Sequence, residues 1–184
     1  MPLNTQPPNI STFAELLADT HHTASHLETR DVYAVGDETD DYAAFLRTGV
    51  PNLDPRRSFW PQWRPLVKDA VARGVVMRRA RIVSEPVTDY IRYEHAITPL
   101  NLQAGKDVRW LPRRPASDIA LPGNDFWLLD DTLVQFHRFT GTGDWAPEGK
   151  KRTTDPAAVA LCAAALETVW ERVIPHEKYT VQAS

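Results

Sequence analysis

The segment 75–112 constrains the fold more than any other part of this chain. It opens with VVMRRARIVS (75–84), in which Val76, Arg78, Ala80, Ile82 and Ser84 fall on one face and Val75, Met77, Arg79, Arg81 and Val83 on the other. Its second half is apolar on both faces apart from Arg81, the pattern of a central strand covered from both sides. A helix over 88–104 follows, with Pro99 a break or kink and Gly105 its stop, and DVRWLP (107–112) is a second strand. Strand, helix and strand at this length make a right-handed crossover, so the two strands are expected to be parallel.

The remaining elements are read around that unit. Thr12 and Glu15 form a capping box, and the apolar spacing after them predicts a helix over 12–26 that carries His21, His22 and His26. Residues 30–35 read as a short strand ended by Gly36-Asp37-Glu38, and Asp40 or Asp41 caps a short helix through Arg47 that Gly49 closes. The stretch 51–61 holds three prolines and is a loop, and a helix over 63–73 stops at Gly74. Short strands are expected at 118–121, 126–130 and 133–139, the last two an antiparallel pair around Asp131-Thr132. Residues 140–154, with three glycines and Lys150-Lys151-Arg152, read as loop. Asp155-Pro156 then starts a terminal helix with Leu161, Ala165, Leu166, Val169, Trp170 and Val173 on one face, ended by Pro175. The fold class is α/β: a mixed sheet with a parallel crossover over 75–112 and a C-terminal hairpin, helices on both faces. Residues 1–10 are a lead-in and 11–184 a single domain.

Composition narrows the function classes. A chain of 184 residues that is 42% hydrophobic and 24% charged is ordinary globular material. Its single cysteine, Cys162, excludes an internal disulfide and a multi-thiolate zinc site, and sits among alanines as a small core residue. Eight glycines against fifteen prolines argue against a glycine-rich phosphate loop. No apolar run reaches the ~20 residues needed to cross a bilayer, and the N-terminus lacks the basic start and apolar core of a secretory signal, so a cytoplasmic protein with no membrane partner is expected.

The net charge of −3 conceals three zones. Residues 1–55 carry two basic and nine acidic side chains, 56–114 thirteen and five, and 115–184 six and ten. A basic middle segment points to an anion site. Arg81, Arg92, Arg109 and Arg113 are the candidate anion-binding residues, with Arg81 and Arg109 expected side by side on adjacent strands and their guanidinium groups converging on one concavity. Glu85, Asp89 and Tyr90, at the strand end and helix start, support that site, as do Trp110 and Trp127; Asp130 belongs to it or, with Asp131, to a turn. The candidate catalytic residues are Glu94, His95 and Asp125. His22 and His26 have the spacing of two metal ligands on a helix but lack a companion glutamate, and read as solvent-facing. No metal and no cofactor is expected. Trp60, Trp63, Tyr90, Tyr93, Trp110 and Trp127 interleave with the arginines, a mixture that suits base stacking, a core or a protein interface.

The runs HLETRDVY (26–33), RGVVMRRARIVSEPVTDYIRYE (73–94), NLQAGKDVRWLPRR (101–114), LPGNDFWLLDD (121–131) and VWERVIPHEKY (169–179) resemble an actinobacterial domain-of-unknown-function family, number 6879. Its members are encoded near helix-turn-helix regulators, which implies a regulatory partner role. The order of strands and the hairpin containing DFWLLDD are also similar to half of a phospholipase D-like domain. That superfamily places an H-x-K-x4-D motif on the hairpin; here the one H-x-K is His176-Glu177-Lys178, in the tail, with Ala183 at the aspartate position. The resemblance therefore implies a degenerate member. The expected function is a non-catalytic regulatory or interaction domain with an anion-accepting patch, partner of a DNA-binding regulator. The alternatives are a phosphodiester- or nucleotide-processing enzyme using Arg81, Arg109, Glu94, His95 and Asp125, and a nucleic-acid-binding module.

Overall fold

The computed structural model describes residues 10–34 and 39–182. Along the chain the elements are α1 (Ile10–Ala18), β1 (Thr23–Glu28), α2 (Thr39–Thr48), α3 (Trp60–Ala72), β2 (Val76–Val83), α4 (Asp89–Gln103), β3 (Asp107–Pro112), β4 (Asp125–Leu129), β5 (Leu133–Phe139), β6 (Trp145–Thr153), α5 (Pro156–Trp170) and β7 (Ile174–Pro175). The strands form one mixed sheet in the order β6-β5-β4-β1-β2-β3-β7. β1, β2 and β3 are parallel; β4, β5 and β6 continue antiparallel from the other edge of β1, and β7 lies antiparallel on β3.

The crossover expected from 75–112 is present, with β2 and β3 parallel neighbours and α4 between them in sequence. Thr88 caps α4 by accepting from the Ile91 N–H at 3.2 Å, Pro99 lies inside the helix without ending it, and Gly105 (φ +99°) stops it. A side chain at Gly105 would press on Val71 of α3 at 3.1 Å, so this turn requires glycine twice over. The β4–β5 hairpin and the Asp155-capped α5 also follow the sequence pattern.

Four expectations are corrected. The first helix ends at Ala18 rather than 26, where the Thr20 hydroxyl donates to the Leu16 carbonyl at 2.8 Å. Residues 23–26, read as the end of that helix, belong to β1 (Thr23–Glu28), the central strand; residues 30–34 are its exit, not a strand. Ala24 and Leu27, three apart, imitate a helical stripe, but β1 buries both faces and is completed by pairing with β2 and β4. Segment 118–121 is not a strand: Ile119 and Leu121 pack as loop residues against the core beneath α5. Within 140–154 the sheet gains β6, whose Pro147 and Gly149 are tolerated because it is an edge. Val35, Gly36, Asp37 and Glu38, and lead-in residues 1–9, lie outside the described residues.

Apolar packing covers both faces of the sheet. On one, α5 lays Cys162, Leu166 and Val169 over Leu27, Ala80, Ile82, Phe126 and Leu128. On the other, α1 and α3 cover Ala24, Met77, Trp127 and Leu129. Farther along the same face, Val87 and Ile91 of the α4 region pack with Tyr33, Val83, Val108 and Trp110. Between these last two apolar clusters lies a polar layer.

The start of β1 is anchored by the hairpin turn at 129–132, where Asp130 and Asp131 both adopt left-handed backbone (φ 49° and 52°). The Asp130 carboxylate accepts the N–H groups of His21, His22 and Thr23 at 2.8, 2.7 and 2.9 Å. Burial alone would raise its pKa; the three N–H groups outweigh this and hold the carboxyl below its usual range. Asp130→Ala should therefore lower stability by about 2 kcal/mol, whereas Asp131→Ala should cost much less. Urea denaturation with an unchanged slope checks this, and equal losses for the two variants would contradict it.

Candidate functional site

Strand register assembles the polar layer, because residues paired across neighbouring strands share a face. One row of pairs crosses the sheet as Arg152, Gln135, Trp127, His26, Arg79 and Val108. In the next row of the same face, His137 pairs with Lys150 and Asp125 toward the β6 edge, while Glu28 pairs with Arg81 and Arg81 with Trp110 toward the β3 edge. From above, α4 brings Glu94 onto Arg81, and α3 brings Trp63, whose indole N–H donates to Asn101 at 3.0 Å. Lys106, in the connection between α4 and β3, places its Nζ 5.0 Å and 4.7 Å from the ring centres of Trp63 and Trp127.

Charges at this density in an interior are costly unless paired. Arg81 is paired twice, to Glu28 at 3.0 Å and to Glu94 by a hydrogen bond from Nη2. Arg79 stands 3.4 Å from the same Glu28. His26 stacks on Trp127, centroids 4.3 Å apart, and meets His137 edge-on at 5.5 Å. Yet Lys106 Nζ, Arg81 Nη1, Glu94 Oε1 and both ring nitrogens of His26 have no hydrogen-bond partner among the described residues, although Lys106 is 1%, Arg81 3%, and Glu94 and His26 5% exposed. Those orphaned groups mark this layer as the candidate site.

Proton affinities report the local field. Burial would raise the pKa of Glu28, but Arg79 and Arg81 pull it below the usual carboxylate range. Burial, then Arg79, push Lys106 well below its ordinary value, against the opposing pull of Glu28 and Glu94. Burial and the same cations push His26 down. Burial is the largest cause for both bases; Glu28, lowered against its own burial by Arg79 and Arg81, is the group that reports a positive field at its position.

The sequence-derived candidates do not converge there. Arg81 and Glu94 belong to the layer, but Arg109 pairs in register with Ala80, placing it on the opposite sheet face from Arg81, against Asp107 at 2.8 Å and over Trp170. That corrects the expected Arg81–Arg109 concavity: a one-residue offset puts neighbours on opposite faces. Arg92 bonds Asp89 at 2.7 Å on the surface of α4, and Arg113 reaches Ser84 and Asp31. Tyr90 is buried among Tyr33 and Tyr42, and Glu85 accepts from the Tyr179 hydroxyl at 2.9 Å. Asp125 accepts from the Tyr33 hydroxyl and from Thr29, and burial raises its pKa. Trp110 and Trp127 line the layer, whereas Asp130 serves the turn. His95 packs on the far side of Trp110, 4.3 Å from the His176 ring. His22 and His26 are not on a helix, and His26 is buried rather than solvent-facing. Sequence reading missed Glu28, Lys106 and the partnership of His26 with His137, and it did not bring Arg79 and Trp63, visible in the basic and aromatic stretches, to the same place; the alternation Ala24, His26, Glu28 was the available signal. Among the described residues no group of three or more His, Cys, Asp and Glu side chains is arranged to hold a metal ion.

His137 sets a titration that can be measured. Arg152 donates to Gln135 Oε1 at 3.0 Å, which turns the Gln135 amide nitrogen toward His137 Nε2 at 3.1 Å and makes that nitrogen an acceptor. Burial, then Lys150, lower the His137 pKa from 6.5 to about 4. The unfolded chain therefore takes up protons that the native imidazole refuses, and stability is lost as pH falls from 6.5 toward 4. The thermal midpoint should drop across that interval, and His137→Gln should drop less; parallel curves would refute the assignment.

Among solved structures the chain is similar to TrmBL2, an archaeal chromatin protein whose structure shows a novel mode of DNA binding, with a TM-score of 0.47, 14% identity and coverage of 89% of this chain and 49% of that one. It thus spans about half the length of that protein. It is also similar to Nuc, a phospholipase D family member from Salmonella typhimurium, with a TM-score of 0.47, 9% identity and coverage of 90% and 88%. No curated protein matches. A match over residues 11–181 to the domain-of-unknown-function family DUF6879 takes in almost the entire sequence, and the chain belongs to that family.

Proposed function

We propose that this chain is a non-catalytic regulatory domain that takes a small anion into the polar layer between the sheet and helices α3 and α4, and relays its occupancy to a protein partner. The observation that carries the reading is Lys106: an amine 1% exposed, boxed by two tryptophans, beside guanidinium groups and without an acceptor. A carboxylate or phosphate oxygen is the group that such a field lacks. On this reading the anion-accepting element is interior and centred on Lys106, where the sequence reading expected arginines of two adjacent strands converging on one concavity. A helix-turn-helix regulator is the partner that the family resemblance implies.

The alternatives have less support. Glu94 is held by Arg81, His95 by the ring cluster beyond Trp110, and Asp125 by Tyr33 and Thr29, so the catalytic candidates are spread over three separate sets of contacts. The basic zone is largely consumed in pairs with acids: Arg56 with Asp54, Arg78 with Glu167, Arg92 with Asp89 and Arg109 with Asp107. Little of it is left as a continuous phosphate-tracking surface.

Lys106→Met tests the reading. Replacing a buried, unpaired amine by an apolar chain of similar length should leave the ligand-free protein as stable or more so. In a thermal-shift screen of acetate, phosphate, sulfate and small carboxylic acids, wild type should gain roughly 5–10 °C at ~100-fold excess over Kd with at least one anion. Lys106→Met should gain nothing. A flat wild-type response to every anion, or a shift that survives the substitution, would overturn the assignment.

A further inference from the structure

The polar layer lacks more than an acceptor. Glu94 gives one carboxylate oxygen to Arg81 and leaves Oε1 without a partner, in a side chain 6% exposed. Lys106 Nζ, equally dry, makes no ion pair within 4.0 Å with Glu94 or Glu28 among the described residues, although both carboxylates act on it electrostatically. Opposite groups in a shared interior ordinarily close on each other, because each is otherwise left with its desolvation cost. Here they stand apart, and each lacks the partner that the other could have supplied.

Resting on the anion reading above, we infer that the occupant is a free α-amino acid, its carboxylate on Lys106 Nζ and Arg81 Nη1 and its ammonium on Glu94 Oε1. A plain anion satisfies the lysine and the guanidinium but leaves Oε1 bare. A plain cation does the reverse. A zwitterion of α-amino-acid size satisfies both, since its charged ends are joined through a single carbon and it adds no net charge to the layer. Trp63 and Trp127 would form the apolar wall beside the carboxylate end.

The test is isothermal titration calorimetry of the full chain with the common amino acids, each compared with its desamino acid and its N-acetyl derivative. At least one amino acid should bind roughly tenfold or more tightly than both analogues, the loss expected when a charge-assisted hydrogen bond is removed. Glu94→Gln should erase that preference while keeping the affinity for the desamino acid. If Glu94→Gln fails to fold, the N-acetyl comparison on the native protein decides alone. Equal affinity for amino acid and desamino acid would overturn the zwitterion while leaving the anion site standing. Absence of binding by all three classes would remove both.

Discussion

Arg81 is the charge on which the architecture turns. Its guanidinium ties Glu28 of β1 to Glu94 of α4 from a position on β2, so one buried side chain fixes the central parallel pair and the crossover helix to each other. Such pairs rarely add net stability, because each buried ion forfeits several kcal/mol of hydration and the attraction returns about as much. Their effect is asymmetric: removing one partner strands the other and costs on the order of 3–5 kcal/mol. The downward displacement of Glu28 shows which side prevails here, since two cations overcome the burial that would raise it.

That asymmetry explains what could be read in the sequence. The crossover was legible because β2, α4 and β3 carry their own punctuation in Gly74, Gly105 and Thr88, and because Ile82 and Val83 are apolar on both faces. β1 was not, because a central strand is expected to be apolar and this one carries His26 and Glu28. Their burial depends on Arg79, Arg81 and Trp127, which are far away in sequence and meet them only through register. The sequence pattern displaces β1 by seven residues and so hides the site, because the strand that joins its two halves reads as the end of a helix. Individual members such as Arg81 and Glu94 were visible as chemistry; their company was not.

The charge zones show the same limit from another side. The excess of arginine in 56–114 was real, but the sheet brings acidic residues from both flanking zones onto it. Glu28 reaches Arg79 and Arg81, Asp31 approaches Arg113, and Glu167 of α5 takes Arg78, which also lies over Trp170. Local counting cannot see pairs separated by fifty to ninety positions. Exposed members such as Arg57, Lys68 and Arg114 lie outside these pairs, and in the interior Lys106 Nζ and Arg81 Nη1 have no hydrogen-bond partner among the described residues.

An interior site of this kind is coupled to its cover. The polar layer separates two apolar clusters on one sheet face, with α1 and α3 over one and α4 over the other. Trp63 and Asn101 bridge α3 and α4 across it, and Lys106 hangs from the turn that follows α4. On the proposed reading, satisfying or stranding the orphaned groups changes how firmly the two helices are held together over the sheet. α4 in turn packs on α2 through Tyr93 and Phe45, ring centres 5.5 Å apart, and α2 leads to the exposed Leu46, Val50 and Leu53. On the proposed reading, this chain of contacts is the physical route from an occupied interior to an apolar surface that a partner can sense, and it requires α2 and α4 to shift together rather than any direct contact between ligand and partner.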